Sequence, residues 1–188
     1  SNAIGTIRDY TAYQNNATLG NGDVTLMPVW NATGKVGGAY GFNGLSDKIT
    51  IINSSQLDKL GAVGTSYTIE LWFYSRTPPT GAQSITEKWP SSGGPYPWAI
   101  RGPNNISNVF RVSFGTFDST NNPEVSYSVN LNQWYHLVAV RNTTTDTLYF
   151  YINGTLVNST TDTTGGIINN TAQVVIGDRH ADFRGRNF

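Results

Sequence analysis

The feature that most constrains this chain is its alternation of apolar and polar residues in short runs, with no helical pattern of useful length. Clusters of Gly, Asn, Pro and Thr separate the runs. An alternation with a period of two places successive side chains on opposite faces of a β-strand. The spacing of the runs therefore predicts an all-β fold, a sandwich or barrel of antiparallel strands rather than alternating strands and helices.

The predicted strands are rich in Val, Ile, Tyr, Phe and Thr, whose side chains suit a pleated surface. They are Lys48–Ile52, Tyr67–Tyr74, Trp98–Arg101, Val109–Phe114, Ser126–Val129, Tyr135–Arg141, Leu148–Ile152 and Val174–Ile176.

Turn signals divide the rest of the chain. Asn153-Gly154 predicts a tight hairpin between Leu148–Ile152 and Thr155–Val157, because both turn residues tolerate positive φ. Ser54–Leu60 is predicted to form one helical turn. The segments 77–97 and 115–124 are predicted to be long connections, which often carry binding sites in all-β folds.

Charge and cysteine content exclude several classes of function. The 12 basic and 12 acidic residues give a net charge of zero, and no basic run is present. A nucleic acid or an anionic membrane is therefore not expected as a partner. No apolar run approaches the roughly 18 residues of a membrane helix, so direct membrane insertion is not expected. The absence of cysteine excludes disulfides, thiolate metal sites and cysteine nucleophiles.

Eight Asn-x-Ser/Thr sequons occur, at Asn16, Asn31, Asn53, Asn105, Asn142, Asn153, Asn158 and Asn169. They are consistent either with chance in a chain rich in Asn and Thr or with a glycosylated cell-surface protein. The opening Ser1-Asn2-Ala3 is interpreted as the remnant of a purification tag. Without a linker or an internal repeat, residues 4–188 are expected to form one domain of a larger extracellular protein.

Alternation assigns two faces to each strand. In Tyr67–Tyr74, Ile69, Leu71 and Phe73 share one face, and Glu70, Trp72 and Tyr74 share the other. Aliphatic and Phe side chains are expected to form the core between two sheets. The opposite faces combine aromatic rings with hydrogen-bonding groups, as sugar recognition requires. The predicted carbohydrate-binding residues are Trp72, Tyr74, Trp89, Arg111 and Tyr151. Trp134 and Trp98 are expected to pack in the core.

Five segments in order resemble the laminin-G-like, concanavalin A-like jelly-roll family. They are Gly34–Ile49 (GKVGGAYGFNGLSDKI), Tyr67–Phe73 (YTIELWF), Trp134–Val140 (WYHLVAV), Leu148–Gly154 (LYFYING) and Val175–Gly177 (VIG).

The resemblance implies a two-sheet antiparallel jelly roll, used by extracellular adhesion and glycan-binding modules. It does not settle function, because hydrolases share the fold. The chain departs from the family at Asn43-Gly44, where Asp-Gly is usual, and at Asp47, which replaces a double Asp. The opening and closing strands of the family are expected to be missing, which would leave open sheet edges and allow an edge-to-edge dimer.

The acidic residues do not favour catalysis. A retaining glycosidase needs two carboxylates about 5–5.5 Å apart, and the hydrolases of this fold place acids at alternate positions of one strand. No acidic residue here has another two positions away, and Glu70 is alone in its strand. We expect a non-catalytic carbohydrate-binding or adhesion module with a glycan or surface protein as partner. The alternatives are a structural or protein-interaction spacer and, third, a degenerate glycoside hydrolase.

Calcium is the only cofactor that the sequence suggests. Asp178 and Asp182 follow a predicted strand in a loop loosely similar to the calcium loop of pentraxins, and Asp47 is a further candidate ligand. Carboxylates and backbone carbonyls are the ligands that Ca²⁺ prefers. Arg179 between the two aspartates reduces the local negative charge. An ordinary polar turn is the alternative.

A weak calcium site would stabilise only the folded chain. We therefore expect the melting temperature to rise with calcium concentration in the millimolar range, because the ion binds the native state and not the unfolded one. The measurement is a thermal melt in chelator and in increasing calcium. A melting curve that is identical in both conditions would contradict the site.

Overall fold

The computed structural model describes residues 5–76, 83–90, 93–106 and 109–178, and at 103–106 it describes the backbone alone. Antiparallel β-strands are the main regular structure of this part of the chain, as the alternation predicts. The one α-helix among the described residues is α1 (Ser55–Lys59), within the predicted turn Ser54–Leu60. Ser54 caps it by accepting a hydrogen bond from the backbone N–H of Leu57.

Fourteen strands are present in the described chain: β1 (Thr6–Ile7), β2 (Ala17–Leu19), β3 (Val29–Asn31), β4 (Ala39–Gly41), β5 (Ile49–Ile51), β6 (Tyr67–Tyr74), β7 (Ser84–Glu87), β8 (Tyr96–Ile106), β9 (Val109–Phe117), β10 (Glu124–Ser128), β11 (Trp134–Asn142), β12 (Thr147–Ile152), β13 (Thr155–Thr161) and β14 (Val174–Ile176).

Two sheets and one small hairpin contain these strands. The eight-stranded sheet has the order β1-β2-β5-β14-β7-β8-β9-β10, and the four-stranded sheet has the order β13-β12-β11-β6. Strands β3 and β4 pair only with each other. Because neighbours in the large sheet are often distant in sequence, the chain crosses repeatedly between the two sheets, as in a jelly-roll sandwich.

The core lies between the inner faces of the two sheets. From the four-stranded sheet, Leu137, Ala139 and Phe150 point inward and are fully buried. Ile100 and Phe114 of the eight-stranded sheet belong to the same buried hydrophobic cluster. Trp98 is part of this core, as the sequence predicts. Side chains of two facing sheets that interdigitate in this way exclude water from both inner surfaces, and this burial is the main source of stability.

The strand between 77 and 97 is the main correction to the sequence prediction. That segment was expected to be one long connection, but β7 (Ser84–Glu87) lies inside it and pairs with β8 and β14 near the middle of the large sheet. All four of its residues are buried. Because a strand in the middle of a sheet can be buried on both faces, its sequence need not alternate, and the alternation test misses it.

The start of the chain also differs from the expectation. The opening strand was predicted to be missing, yet Thr6–Ile7 forms β1 and pairs with Ala17–Leu19 at the edge of the large sheet. Residues 1–3 and the position of a closing strand after residue 183 lie outside the described residues. The edge-to-edge dimer therefore stays a prediction. In the described part of the chain, no helix is long and apolar enough to cross a membrane.

A buried ion pair closes one end of the sandwich. Arg141 of β11 donates from Nε to Asp162 Oδ2 at 2.6 Å, and both side chains are almost fully buried. Thr116 of β9 donates to the other Asp162 oxygen at 3.3 Å, and Thr164 accepts from Arg141 Nη2. The network thereby joins the chain after β13 to both sheets. Since neither buried charge is solvated by water, each is stabilised by the opposite charge of its partner.

We expect Asp162→Ala to destabilise the fold by about 3–5 kcal/mol, because it leaves the Arg141 guanidinium buried without its counter-charge. The matched control is Glu124→Ala, which removes an exposed partner of Arg101 at 3.6 Å and should cost at most about 1 kcal/mol. Urea denaturation of the three proteins measures both changes. Equal losses in the two variants would contradict a structural role for the buried pair.

Candidate functional site

The outer face of the four-stranded sheet carries an aromatic surface. Its members alternate with the core residues of the same strands: Trp72 and Tyr74 on β6, Trp134 and His136 on β11, and Tyr151 on β12. We call these five residues the Trp72 surface. The register places Trp134 beside Tyr74 and His136 beside Trp72. The alternation that buries Leu137 and Phe73 thus places these rings on the opposite face.

Trp72 is the most accessible ring on this surface. Its side chain is 41% exposed, although two neighbours contact it. The His136 ring packs against it with a centroid distance of 5.0 Å. Lys35 Nζ also lies over the ring, 5.5 Å from its centre. An indole that is held in this way, with part of its ring open to solvent, is preorganised for a flat apolar ligand surface.

The remaining rings extend the surface along β6 and across to β12. Tyr74 and Trp134 pack at a centroid distance of 5.3 Å, and the Arg76 guanidinium lies 5.9 Å from the Tyr74 ring. Tyr151 is half-buried and pairs across the sheet with the exposed Leu156 of β13. The surface therefore combines apolar ring faces with phenol, imidazole and cationic groups at its border.

The β12–β13 hairpin fixes the far end of the surface. Asn153 has φ of 51° and Gly154 has φ of 79°, the left-handed conformations that a two-residue type I′ turn requires. Asn153 also continues the pairing with β11: its N–H donates to the His136 carbonyl at 2.8 Å, and its Oδ1 accepts from the His136 N–H at 2.9 Å. Both bonds fix the backbone of His136, which is the residue paired with Trp72 on the neighbouring strand.

Arg111 does not belong to the Trp72 surface. Arg111 was predicted to share a binding face with Trp72 and Tyr151, but β9 lies in the eight-stranded sheet. Arg111 points outward from that sheet, because its neighbour Val112 is buried in the core. The two outward faces lie on opposite sides of the sandwich. Alternation in the sequence indicates which residues of one strand share a face. It does not indicate which sheet contains that strand.

Trp89 also lies on the side of the large sheet. Its ring packs against Tyr96 at a centroid distance of 4.7 Å, and the Arg101 guanidinium lies 5.0 Å from it. Arg101 Nη2 donates to the Tyr96 hydroxyl, which in turn donates to Asn122 Oδ1 at 2.8 Å. Burial raises the pKa of Tyr96. We call Trp89, Tyr96 and Arg101 the Arg101 cluster, a second aromatic and polar group that is more enclosed than the Trp72 surface.

The carboxylates of the large sheet do not form the pair that a glycosidase uses. Glu87 and Glu124 occupy one row of the sheet, but Ala99 and Gly115 stand between them. Three strand spacings separate their backbones by about 14 Å. Glu70 lies on the other sheet, opposite Val138. This arrangement differs from the close facing carboxyls of retaining enzymes.

The candidate calcium ligands lie in different surroundings. Asp47 is buried, which raises the pKa of its carboxyl, and its Oδ2 accepts from the Asn43 N–H at 2.9 Å. Asp178 is also buried, and Lys48 Nζ lies 3.2 Å from its Oδ2. Asp182 lies outside the described residues. Among the described residues, no three His, Cys, Asp or Glu side chains come together as a metal site would require. Calcium binding stays a prediction.

Several residues in or beside the Trp72 surface and the Arg101 cluster were missed or misassigned from sequence. Trp134 was expected in the core, but it shares the outward face of β11 with His136. The signal was available, because Trp134 is an odd number of residues from the inward-facing Leu137. Lys35 reaches Trp72 from the loop between β3 and β4, and no local pattern indicates such a contact. Arg101 was expected only as the end of a strand.

Comparison with known proteins places this geometry in context. The sequence profile described as the Concanavalin A-like lectin/glucanases superfamily matches residues 42–188. No curated protein is significantly similar to the chain in sequence.

Solved structures with the same fold include several binding domains. The binding domain of Paraclostridial Mosquitocidal Protein 1 has a TM-score of 0.71 and 14% identity, over 98% of this chain and 45% of that one. The ligand binding domain of botulinum neurotoxin serotype D, solved with N-acetylneuraminic acid, has a TM-score of 0.67 and 13% identity, over 96% and 43%. The chain thus spans less than half the length of these toxin domains.

A further similar structure comes from an enzyme. Domain 4 of AbnA, a GH43 extracellular arabinanase from Geobacillus stearothermophilus, was solved with arabinotriose. Its TM-score is 0.58 and its identity 18%, over 86% of this chain and 71% of that one. At such low identity the likeness concerns the fold, and it transfers no residue of any ligand site.

If Trp72 belongs to the surface and not to the core, its removal should leave the fold intact. We expect Trp72→Ala to cost about 1 kcal/mol, the size of its contacts with His136 and Lys35. Trp98→Ala, at a position only 3% exposed, should cost about 3–5 kcal/mol. Chemical denaturation compares the two variants. Unfolding of Trp72→Ala under native conditions would show that the ring is structural.

Proposed function

The chain belongs to the concanavalin A-like lectin/glucanase superfamily, and from this premise we propose that it is a non-catalytic glycan-binding domain of an extracellular protein. The observation that carries the proposal is the Trp72 surface, with an accessible indole that contacts His136 and Lys35. The fold that it shares with a domain solved with arabinotriose, and with a ligand binding domain solved with N-acetylneuraminic acid, supports this proposal.

The chemistry of the Trp72 surface suits a pyranose or furanose ring. One face of a sugar ring presents C–H groups, which pack on an indole or phenol ring, while the hydroxyls at its rim need hydrogen-bonding partners. Lys35, His136 and the Tyr74 and Tyr151 hydroxyls provide polar groups around Trp72. Because the surface is open and shallow, it favours a chain of sugar residues laid across the sheet over a single enclosed sugar.

Binding without turnover follows from the placement of the acids. Glu70 is the acidic residue of β6 and lies opposite Val138 of β11, two residues before Trp72. A glycosidase mechanism needs a second carboxyl that faces the first. Glu87 and Glu124 lie in the other sheet, about 14 Å apart along the backbone row. We therefore propose that a bound glycan is held and released unchanged.

A second candidate function rests on the β3–β4 hairpin. Val29, Trp30 and Val36 are each more than half exposed there, and Trp30 packs edge-on against Tyr40 at 5.0 Å. Exposed apolar side chains on a hairpin that pairs with neither sheet favour contact with another protein. A spacer or adhesion domain that uses this hairpin would bind a protein surface and would not depend on Trp72.

Substitution of Trp72 tests the glycan proposal directly. A glycan array identifies ligands, and titration calorimetry then measures their affinity for each variant. We expect Trp72→Ala and Tyr151→Ala to weaken binding by about 1–3 kcal/mol, which is roughly 5- to 150-fold in Kd, since each removes one stacking contact.

A matched variant locates the site. Trp89→Ala, on the opposite sheet, should bind glycan as the parent does. Loss of binding in Trp89→Ala alone would move the site to the Arg101 cluster. A chain that binds no glycan on the array, or one that releases labelled sugar from a polysaccharide, would contradict the proposal.

A further inference from the structure

The loop between β3 and β4 brings a lysine onto the Trp72 surface. Lys35 is exposed, and its Nζ lies 5.5 Å from the centre of the Trp72 ring. Because β3 and β4 pair only with each other, neither sheet fixes this loop through backbone pairing. The position of Lys35 therefore depends mainly on packing within the hairpin.

Trp30 packs on the loop that carries Lys35. Its indole lies directly against the backbone of Gly38, where the Cβ of any other residue would clash with Trp30 Cζ2. The Gly34 N–H donates to the Gly37 carbonyl at 2.6 Å and closes a turn around Lys35. The absence of a side chain at residue 38 thus lets the indole pack onto the turn, and this packing orders it.

A second cation lies on the same row of rings. The Arg76 guanidinium is 5.9 Å from the centre of the Tyr74 ring, and Arg76 is exposed, as Lys35 is. Trp72 and Tyr74 are two residues apart on one face of β6, which separates them by about 7 Å along the strand. Each of these neighbouring rings therefore has a cation beside it.

Neither Lys35 nor Arg76 forms an ion pair with a described carboxylate. In the part of the chain that the structure describes, the cations with such a partner are Lys48, Lys88, Arg101 and Arg141. Asp182 is the one acidic residue outside that part. Glu70 is exposed on the same face of β6 but is not among the partners. The surface thus presents two cations that no described carboxylate neutralises by contact.

We propose that the glycan bound by the Trp72 surface carries anionic groups, either carboxylates of sugar acids or sulfate esters, and that Lys35 and Arg76 bind them. A sugar that packs on the exposed part of Trp72 lies beside the Lys35 ammonium, where opposite charges attract. Trp30 is a positioning residue, because it orders the loop that holds Lys35. The inference rests on the proposed function and adds to it the chemical class of the ligand.

Pairs of oligosaccharides that share a backbone test the ligand class. Each pair differs only in charge, as a uronate and its methyl ester or a sulfated form and its unsulfated parent, and titration calorimetry measures both Kd values. We expect the charged member to bind about fivefold more tightly for each cation engaged, the size of an exposed ion pair. Added salt should reduce this preference, because it screens exposed charges.

The outcomes separate this inference from the proposed function. A preference among uronates identifies a carboxylate ligand, and one among sulfated forms identifies a sulfate ester. Equal affinity within every pair that binds would overturn the inference and leave the proposed function standing. A chain that binds neither member of any pair would overturn both.

Substitutions assign the preference to the two cations. Lys35→Gln and Arg76→Gln should each lower the preference for the charged member about fivefold, while the affinity for the neutral member changes less, since the rings remain. Glu70→Gln removes the carboxylate on the same face and should raise the preference. A preference that persists unchanged when Lys35→Gln and Arg76→Gln are combined would overturn the assignment.

The positioning role of Trp30 is tested on the same pairs and without ligand. Trp30→Ala and Gly38→Ala keep Lys35 but separate the indole from the loop, so each should lower the preference as Lys35→Gln does, and Trp30→Phe should restore part of it. Val36→Ala, at an exposed position of the same loop, is the matched control and should bind as the parent does. The indole N–H resonance of Trp72, assigned by its loss in Trp72→Phe, reports the contact with Lys35. We expect it to shift in Lys35→Gln and in Trp30→Ala but not in Val36→Ala, and an unchanged resonance in Trp30→Ala would overturn the positioning role.

Discussion

The pairing of β11 with both β6 and β12 is the constraint on which the rest of the structure depends. Leu137 and Ala139 point from β11 into the core and fix which face of the sheet is inward. A shift of one residue would expose them and bury Trp134 and His136 instead. The core packing thus selects one register for three strands at once. The aromatic surface on the other side is a consequence of that register.

The two sheets use their outer faces differently. The four-stranded sheet exposes rings, with Trp72 partly open to solvent. On the eight-stranded sheet, polar residues such as Thr50, Ser113 and Glu87 lie on strands with a neighbour on each side and are buried. Aromatic groups there are enclosed, as Tyr96 is by Trp89 and Arg101. An exposed surface can bind a ligand without rearrangement, whereas an enclosed one must first open.

Much of the fold could be predicted because alternation is local. The strand Tyr67–Tyr74 and the strand Val174–Ile176 have the predicted bounds, and Asn153-Gly154 forms the expected turn. The strand Ser84–Glu87 escaped prediction, since Ile85 is its one apolar residue and all four of its residues are buried, so no alternation marks it. For the site, the outward direction of Trp72, Tyr74 and Tyr151 was predictable from the same alternation. Their assembly with His136 and Lys35 was not.

The sequence by itself determined the all-β class, most strand positions, the face on which each strand residue lies and, by resemblance, the superfamily. Each of these follows from local periodicity or from motifs in order along the chain. Only the tertiary structure decided that Arg111 and Trp72 lie on opposite sheets, that Lys35 reaches the Trp72 ring, and that Arg141 and Asp162 meet between the sheets. Such contacts join residues far apart in sequence. They are set by which strands pair and how the sheets pack, and a local pattern carries no record of either.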